Sequence, residues 1–213
     1  MASQKQAGLS QGVVEIGVWK GKYLSVLYHN ARQYGQPVVG IDEFVWLPRE
    51  DAVNALEKAF GSLDGLKLIA ANSGHLTAAD IFEMLGGLRA SFISVDGDHT
   101  APAVKSDLEL ASAALAPGGI MAIDDFMNPH AMSVSEGVYG YFFETQSSIR
   151  PFAYTGNKLL AADSAYHARY IEAIALFAEH HEHLPIVREY NGFRAQGSYY
   201  VEQRILGSTV IVL

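Results

Sequence analysis

Ser91-Phe-Ile-Ser-Val-Asp-Gly-Asp-His99 and Gly118-Gly-Ile-Met-Ala-Ile-Asp-Asp-Phe126 bound the stretch that decides how this chain folds. Each holds a short apolar run, residues 92–95 and 120–123, and each run closes abruptly on acids. Runs this short, bounded by glycine and charge, read as strands of a parallel sheet buried on both faces. Between them, Val104, Leu108, Leu110, Ala111 and Leu115 recur at helical spacing. Strand, helix, strand is a crossover unit, so both strands end at the same sheet edge. Asp96, Asp98, Asp124 and Asp125 are therefore expected to meet where open α/β sheets bind ligands. Crowded carboxylates repel unless a proton or a cation neutralises them. Oxygen donors favour hard ions such as Mg²⁺, Mn²⁺ or Ca²⁺, which makes Asp96, Asp124 and Asp125 candidate metal ligands. The plainer alternative is that these acids are solvated loop residues and helix caps.

Working outward, residues 13–18 read as a first buried strand, followed by a turn with Gly17 and Gly21 and a helix through about Arg32. Glycines at a strand-to-helix turn let backbone approach a ligand. Glu15 interrupts the apolar run, which is costly inside a buried strand without a partner. Residues 37–43 form a second strand closing on Asp42, placed as an acid that binds a ribose. Residues 49–60 follow as a helix, 66–71 as a third strand ending at Asn72-Ser73-Gly74, and Thr77 or Asp80 caps the next helix. Beyond the central unit come a helix over 134–144, two strands over 149–154 and 158–162 joined by Thr155-Gly156-Asn157, and a long helix over 164–181. The β-rich runs 198–201 and 209–213 have no assigned place.

The chain has 213 residues, 49% hydrophobic and 18% charged, which suits one globular domain. Its net charge of −8 argues against a nucleic-acid surface. It has no cysteine, so thiolate metal sites and a cysteine nucleophile are excluded. No apolar run approaches membrane-spanning length, and residues 1–12 lack an apolar leader, so a cytoplasmic location is the expectation.

His99 and Asp98 compete for the role of general base beside an ion, against the plainer reading of an exposed residue at a helix start. His180-His181-Glu182-His183 suits a helix C-terminus better than a metal site, because adjacent residues on a helix do not face one point. Trp19, Trp46 and Phe126 follow strand ends and are the aromatic ligand-contact candidates. Gly17 and Gly21 with Asp42 favour a nucleoside-containing ligand, and neither the dinucleotide nor the Walker glycine pattern is present.

Taken together, Val14-Glu-Ile-Gly-Val-Trp-Lys-Gly21, Val39-Gly-Ile-Asp42, Asp96-Gly-Asp-His99 and the run Pro117 to Phe126 resemble a class I S-adenosylmethionine-dependent methyltransferase. More narrowly, the chain resembles the metal-dependent macrocin O-methyltransferase type, over about residues 12–162. The resemblance implies that Glu15, Gly17 and Gly21 surround the methionine part of the cofactor and that Asp42 binds its ribose. It also implies that Asn72 and Ser73 contact the adenosine and that Asp96, Asp124 and Asp125 hold the metal. It does not choose between Asp98 and His99. One departure is that the first strand starts near residue 13, so the N-terminal helices that cover such sites are nearly missing. Enclosure then falls to residues 126–140, to the C-terminal segment or to a partner subunit.

The resulting expectation is an α/β fold with a Rossmann-like, seven-stranded, mostly parallel sheet, one antiparallel strand and helices on both faces. A single domain spans residues 1–213, with a core over 12–162 and a helical and β-rich extension over 163–213. The function is methyl transfer from S-adenosylmethionine to a small-molecule hydroxyl, on a sugar or natural product, assisted by Mg²⁺ or a similar divalent cation. A homo-oligomer is compatible with the sequence, and neither nucleic acid nor membrane is an expected partner. A non-catalytic cofactor-binding subunit and a nucleotide-dependent oxidoreductase are the alternative readings.

Overall fold

The computed structural model describes residues 1–198 and 201–213. The crossover unit takes its expected form. Strand β4 (Ala90–Val95) leads through helix α5 (Ala101–Ala114) into β5 (Leu115–Ile123), and the two strands pair in parallel. On the other side of β4 lie β1 (Gly12–Ile16), β2 (Val38–Asp42) and β3 (Leu66–Ala70), all parallel. β6 (Ile149–Thr155) and β7 (Lys158–Asp163) form a hairpin, and β7 pairs antiparallel with β5.

The sheet has nine strands, in the order β3-β2-β1-β4-β5-β7-β6-β9-β8, where seven were expected. The extra pair is β8 (Glu202–Ile205) and β9 (Ser208–Val212), a hairpin whose second strand adds in parallel to the open edge of β6. Antiparallel strands are thus β7 and β8 rather than one. The sequence does not announce β8, because Glu202, Gln203 and Arg204 are polar and exposed, as suits a sheet edge. Helix α8 (Pro185–Ala195) was likewise unassigned. The expected run 198–201 includes Tyr199 and Tyr200, which lie outside the described residues.

Successive residues of β1 and β4 feed opposite layers, as extended chain requires. Val14, Ile16, Ile93 and Val95 join the core under α4 (Ala78–Met84), α5 and α6 (Met132–Glu144). Val13 and Phe92 pack instead with Leu24, Leu27 and Leu56 of α2 (Lys22–Arg32) and α3 (Arg49–Phe60). Helix α4 carries a full capping box, with both Thr77 and Asp80 taking part. Helix α7 (His167–His180) covers the β6–β7 hairpin, with Tyr170 stacked on Phe152.

The short N-terminal helix α1 (Ala2–Gln6) has no counterpart in the sequence reading. Its Gln4 side chain is buried and donates to the Ser91 carbonyl at 2.6 Å, tying the chain start beneath β4. Residues 126–140 do not form a free cover. Most of them belong to α6, whose Val134, Val138 and Tyr141 are buried, and whose Gly137 sits where a Cβ would lie 2.6 Å from the Ala101 carbonyl oxygen. Among the described residues, no helix is long and apolar enough to cross a membrane.

Gly17 ends β1 with φ of +87°, and a Cβ there would stand 1.7 Å from the Asp96 carbonyl oxygen. This forces the first strand to stop at Ile16 rather than Val18. Gly17→Ala combines a backbone collision with a disfavoured φ, so we expect a loss of roughly 2–4 kcal/mol or more in urea unfolding. A variant with unchanged midpoint would show that the β1 and β4 ends are not this close.

Candidate active site

The carboxyl ends of β1, β2, β4 and β5 and the start of β7 surround a cleft of about 700 Å³. Backbone bonds align the strand ends: Gly17 N–H to Ile41 O at 2.8 Å, Asp96 N–H to Ile16 O at 2.8 Å, and Asp124 N–H to Val95 O at 2.9 Å. The size suits a nucleoside-sized ligand with a small acceptor.

Glu15 lies on the cleft wall at 1% exposure, and among the described residues its Oε2 has no hydrogen-bond partner. Burial first, and then the charge of Asp96, push its carboxyl well above the usual range. An orphaned, deeply buried acid lining a cleft is a ready acceptor for a cationic group.

Asp42 is braced rather than free. Its Oδ2 accepts from the Val18 and Trp19 N–H groups at 2.9 and 2.8 Å, and its Oδ1 from Phe44 N–H at 2.6 Å. It therefore ties the glycine turn of β1 to the end of β2, and holds Trp19 at φ of +46°. Asn72 Nδ2 donates to Glu43 Oε1 at 2.6 Å and its Oδ1 caps Gly74 N–H at 2.8 Å, which fixes the 3₁₀ turn Ser73–His75 at the same cleft.

Asp107 on α5 was missed by the sequence reading. It is 2% exposed, lines the cleft, and a Cβ on Gly97 would meet its Oδ2 at 2.7 Å. Burial pushes its carboxyl up to about 6, against the Ser73 hydroxyl bond that favours the charge. A signal was available: Val104, Asp107, Leu108 and Ala111 share one helical face, so an acid stands in the apolar stripe.

Asp96 links the two ends of the acid cluster, bonding Asp124 on one side and facing His99 on the other. Asp124 points to Lys158, whose Nζ lies 2.9 Å from its Oδ2. β5 ends at Ile123 and the chain turns over Asp124 and Asp125, the latter with φ of +53°, while the Asp124 N–H still bonds the Val95 carbonyl. Asp125 Oδ1 accepts from Asn128 Nδ2 at 2.7 Å and Asn157 Nδ2 at 2.9 Å. Its Oδ2 lies 3.6 Å from His99 Nε2, which is also 3.5 Å from Asp96 Oδ1. Burial, and then the hydrogen bond with Asp124, raise the Asp96 carboxyl. Burial opposes the Asp124 charge, yet its bonds to Asp96 and Lys158 hold that carboxyl low.

Asp98 stands apart from these groups. Its Oδ1 accepts from Thr100 N–H at 2.7 Å at the start of α5, which lowers its carboxyl below the usual range. Among the described residues, Asp96, His99 and Asp125 are the group whose donor atoms converge, all within 4.8 Å of one another. Of the aromatic candidates, Trp19 and Trp46 line the cleft, whereas Phe126 is buried against Tyr139 and Tyr154. His180 and His181 bond backbone carbonyls of their own helix.

Comparison with known proteins agrees with this geometry. The family model described as a methyltransferase domain matches residues 14–126, more than half of the chain, and the chain belongs to that family. It is a class I S-adenosylmethionine-dependent methyltransferase. Its fold is similar to that of the O-methyltransferase NovP, with a TM-score of 0.62 at 12% identity over 75% of this chain and 74% of that one. It is similar also to CalS11, a TDP-rhamnose 3'-O-methyltransferase of calicheamicin biosynthesis, with a TM-score of 0.58 at 17% identity over 76% of each chain. A Podospora anserina methyltransferase bound to S-adenosylhomocysteine gives 0.54 at 17% identity over 73% of this chain and 72% of that one. At such identities the likeness is one of fold. None of the curated protein sequences matches the chain.

Asp107 makes a pH-dependent contribution to stability with a definite sign. Its folded-state carboxyl titrates near 6 against an ordinary 3.8. Below pH 4 it is protonated in both states and costs nothing. Between pH 4 and 6 the unfolded chain ionises first, and the folded state is penalised by up to about 3 kcal/mol. Asp107→Asn should therefore gain stability relative to the parent as pH rises from 4 to 7 in urea melts. A difference independent of pH would contradict the burial of this charge.

Proposed function

We propose that this enzyme methylates a hydroxyl of a small molecule, on a sugar or a related natural product, with a divalent cation at the acceptor side of the cleft. The observation that carries the reading is the side-by-side placement of two distinct subsites on one sheet edge. One is the orphaned Glu15 with the Gly17 turn and Asn72-Ser73, and the other is the converging Asp96, His99 and Asp125. The likeness of the fold to CalS11, a TDP-rhamnose 3'-O-methyltransferase of calicheamicin biosynthesis, supports the choice of acceptor.

S-adenosylmethionine supplies the methyl group as a sulfonium, and its transfer to a hydroxyl oxygen yields the thioether, the methyl ether and one proton. Glu15 binds the ammonium of the methionine part, since among the described residues its buried Oε2 has no other partner. Asp42 holds the turn through Val18 and Trp19 and borders the ribose. The Asn72-Ser73 turn, supported by Asp107, borders the adenine. Asp96, His99 and Asp125 would hold the cation, two carboxylates and an imidazole being an ordinary donor set for a divalent ion. A bound divalent ion lowers the pKa of a hydroxyl it touches.

The proton acceptor is then Asp98. With His99 in the ion's donor set, Asp98 is the cleft carboxylate nearest to it in the chain, and its low pKa keeps it ionised at neutral pH. A weak base suffices for a hydroxyl already acidified. The rest of the rate comes from alignment of the reacting atoms.

Calorimetry and kinetics test both subsites. Glu15→Gln should weaken S-adenosylmethionine binding by roughly 10- to 100-fold, the worth of a charged hydrogen bond. Asp98→Asn should lower kcat by roughly 10²- to 10⁴-fold while cofactor affinity stays near the parent value. Full activity in Asp98→Asn would remove that residue from the reaction.

A further inference from the structure

We propose that Lys158 binds the carboxylate of the cofactor's methionine part, opposite Glu15, so that two side chains of opposite charge read the amino-acid end as a zwitterion. The inference deepens the cofactor subsite and rests on the reading that Glu15 takes the ammonium. It gives a function to the β6–β7 hairpin, which lies beyond residues 14–126, so the family match says nothing of it.

Sheet register puts the two side chains on one wall. Glu15 pairs with Ser94, Ser94 with Ala122 and Ala122 with Leu160, so these four positions share one face of the sheet. β7 runs antiparallel to β5, so its first residue arrives at the edge where β5 ends. Lys158 stands two residues before Leu160 and therefore returns to the face of Glu15, nearer that edge. Glu15, Lys158 and Tyr23 of α2 all line the cleft. The ammonium lies 4.1 Å from the centre of the Tyr23 ring, a contact that holds a cation in place.

Two incompletely satisfied groups of opposite sign mark this wall. Glu15 is 1% exposed and, among the described residues, its Oε2 has no hydrogen-bond partner. The Lys158 side chain is 15% exposed, and its ion pair with Asp124 Oδ2 at 2.9 Å engages one of three N–H donors. Among the described residues no other acceptor meets those donors. The two groups are within electrostatic reach: burial and then Asp96 raise the Glu15 carboxyl, and the Lys158 charge works against them. Buried polar groups are normally satisfied, so an enclosed acceptor and an enclosed donor left open on one wall are matched by a ligand that brings both signs. The amino-acid end of S-adenosylmethionine carries an ammonium and a carboxylate on one carbon. It adds no net charge to a wall already crowded with acids, whereas a lone ammonium or a lone carboxylate leaves one of the two groups unanswered. An ammonium that bridges Asp124 and the ligand carboxylate keeps its ion pair, so no buried charge is stranded.

The test is calorimetry on the full-length chain with S-adenosylhomocysteine, its decarboxylated analogue and 5'-methylthioadenosine. The second ligand keeps the ammonium without the carboxylate, and the third lacks both. The parent should bind S-adenosylhomocysteine about tenfold or more tighter than the decarboxylated analogue. Lys158→Met should weaken S-adenosylhomocysteine by roughly 10- to 100-fold without weakening the other two, and Lys158→Arg should recover part of that loss. The proposal is overturned if Lys158→Met, folded by circular dichroism, weakens all three ligands alike or leaves S-adenosylhomocysteine unchanged. It is overturned equally if the parent binds the decarboxylated analogue as tightly, a comparison that needs no variant to fold. Glu15→Gln should weaken the first two ligands and spare the third. If it spares all three while Lys158→Met still discriminates, the ammonium reading fails and the carboxylate assignment stands.

Discussion

Repulsion between carboxylates crowded at one sheet edge is the constraint on which the rest of the site depends. Parallel strands joined by a crossover helix must end together, so the acids closing β1, β4 and β5 share a small volume of low dielectric. The structure answers the repulsion in three ways. The Asp96 carboxyl is raised by burial and by its bond to Asp124, an ammonium is set against Asp124, and two amides orient Asp125. Burial raises the Glu15 carboxyl as well, and among the described residues its Oε2 has no partner, which is what a cationic ligand recognises.

The close approach that creates this crowding is also what holds the cleft open. Gly17 admits the Asp96 backbone against the end of β1, and Asp42 pins the following turn through three backbone N–H groups. Strand ends braced in this way keep their side chains directed into the cleft rather than collapsing onto it. The cost is borne by the large apolar layers on either face, which are built from alternate residues of the same strands. A stable scaffold carrying strained, charged strand ends is the usual division of labour in an enzyme.

The β6–β7 hairpin ties the matched family segment to the rest of the chain. Its antiparallel arm closes the edge of β5, delivers Asn157 and Lys158 to the acid cluster, and offers its outer strand to β9. The C-terminal hairpin therefore extends the sheet on the far side of β6. Among the described residues, neither it nor α8 lines the cleft.

Much of the framework was legible in the residues themselves. Apolar runs ending on Asp42, Asp96 and Asp124 marked the strands, and helical stripes marked α2, α3 and α5, because burial on both sides of a sheet or one side of a helix imposes a period on sequence. The ordered motifs pointed to the cofactor class for the same local reason. The partition of the acids was not legible. Whether Asp124 faces an ion or a lysine depends on the register of β7 against β5, a pairing between segments 35 residues apart that no local pattern encodes. The polar edge strand β8 was silent too, since its ladder partner is β9 and Glu202, Gln203 and Arg204 are exposed. Sequence alone determined which residues reach the carboxyl edge of the sheet. Only tertiary structure decided which of them meet, because the facing of each side chain there is set by strand register and by partners distant in the chain.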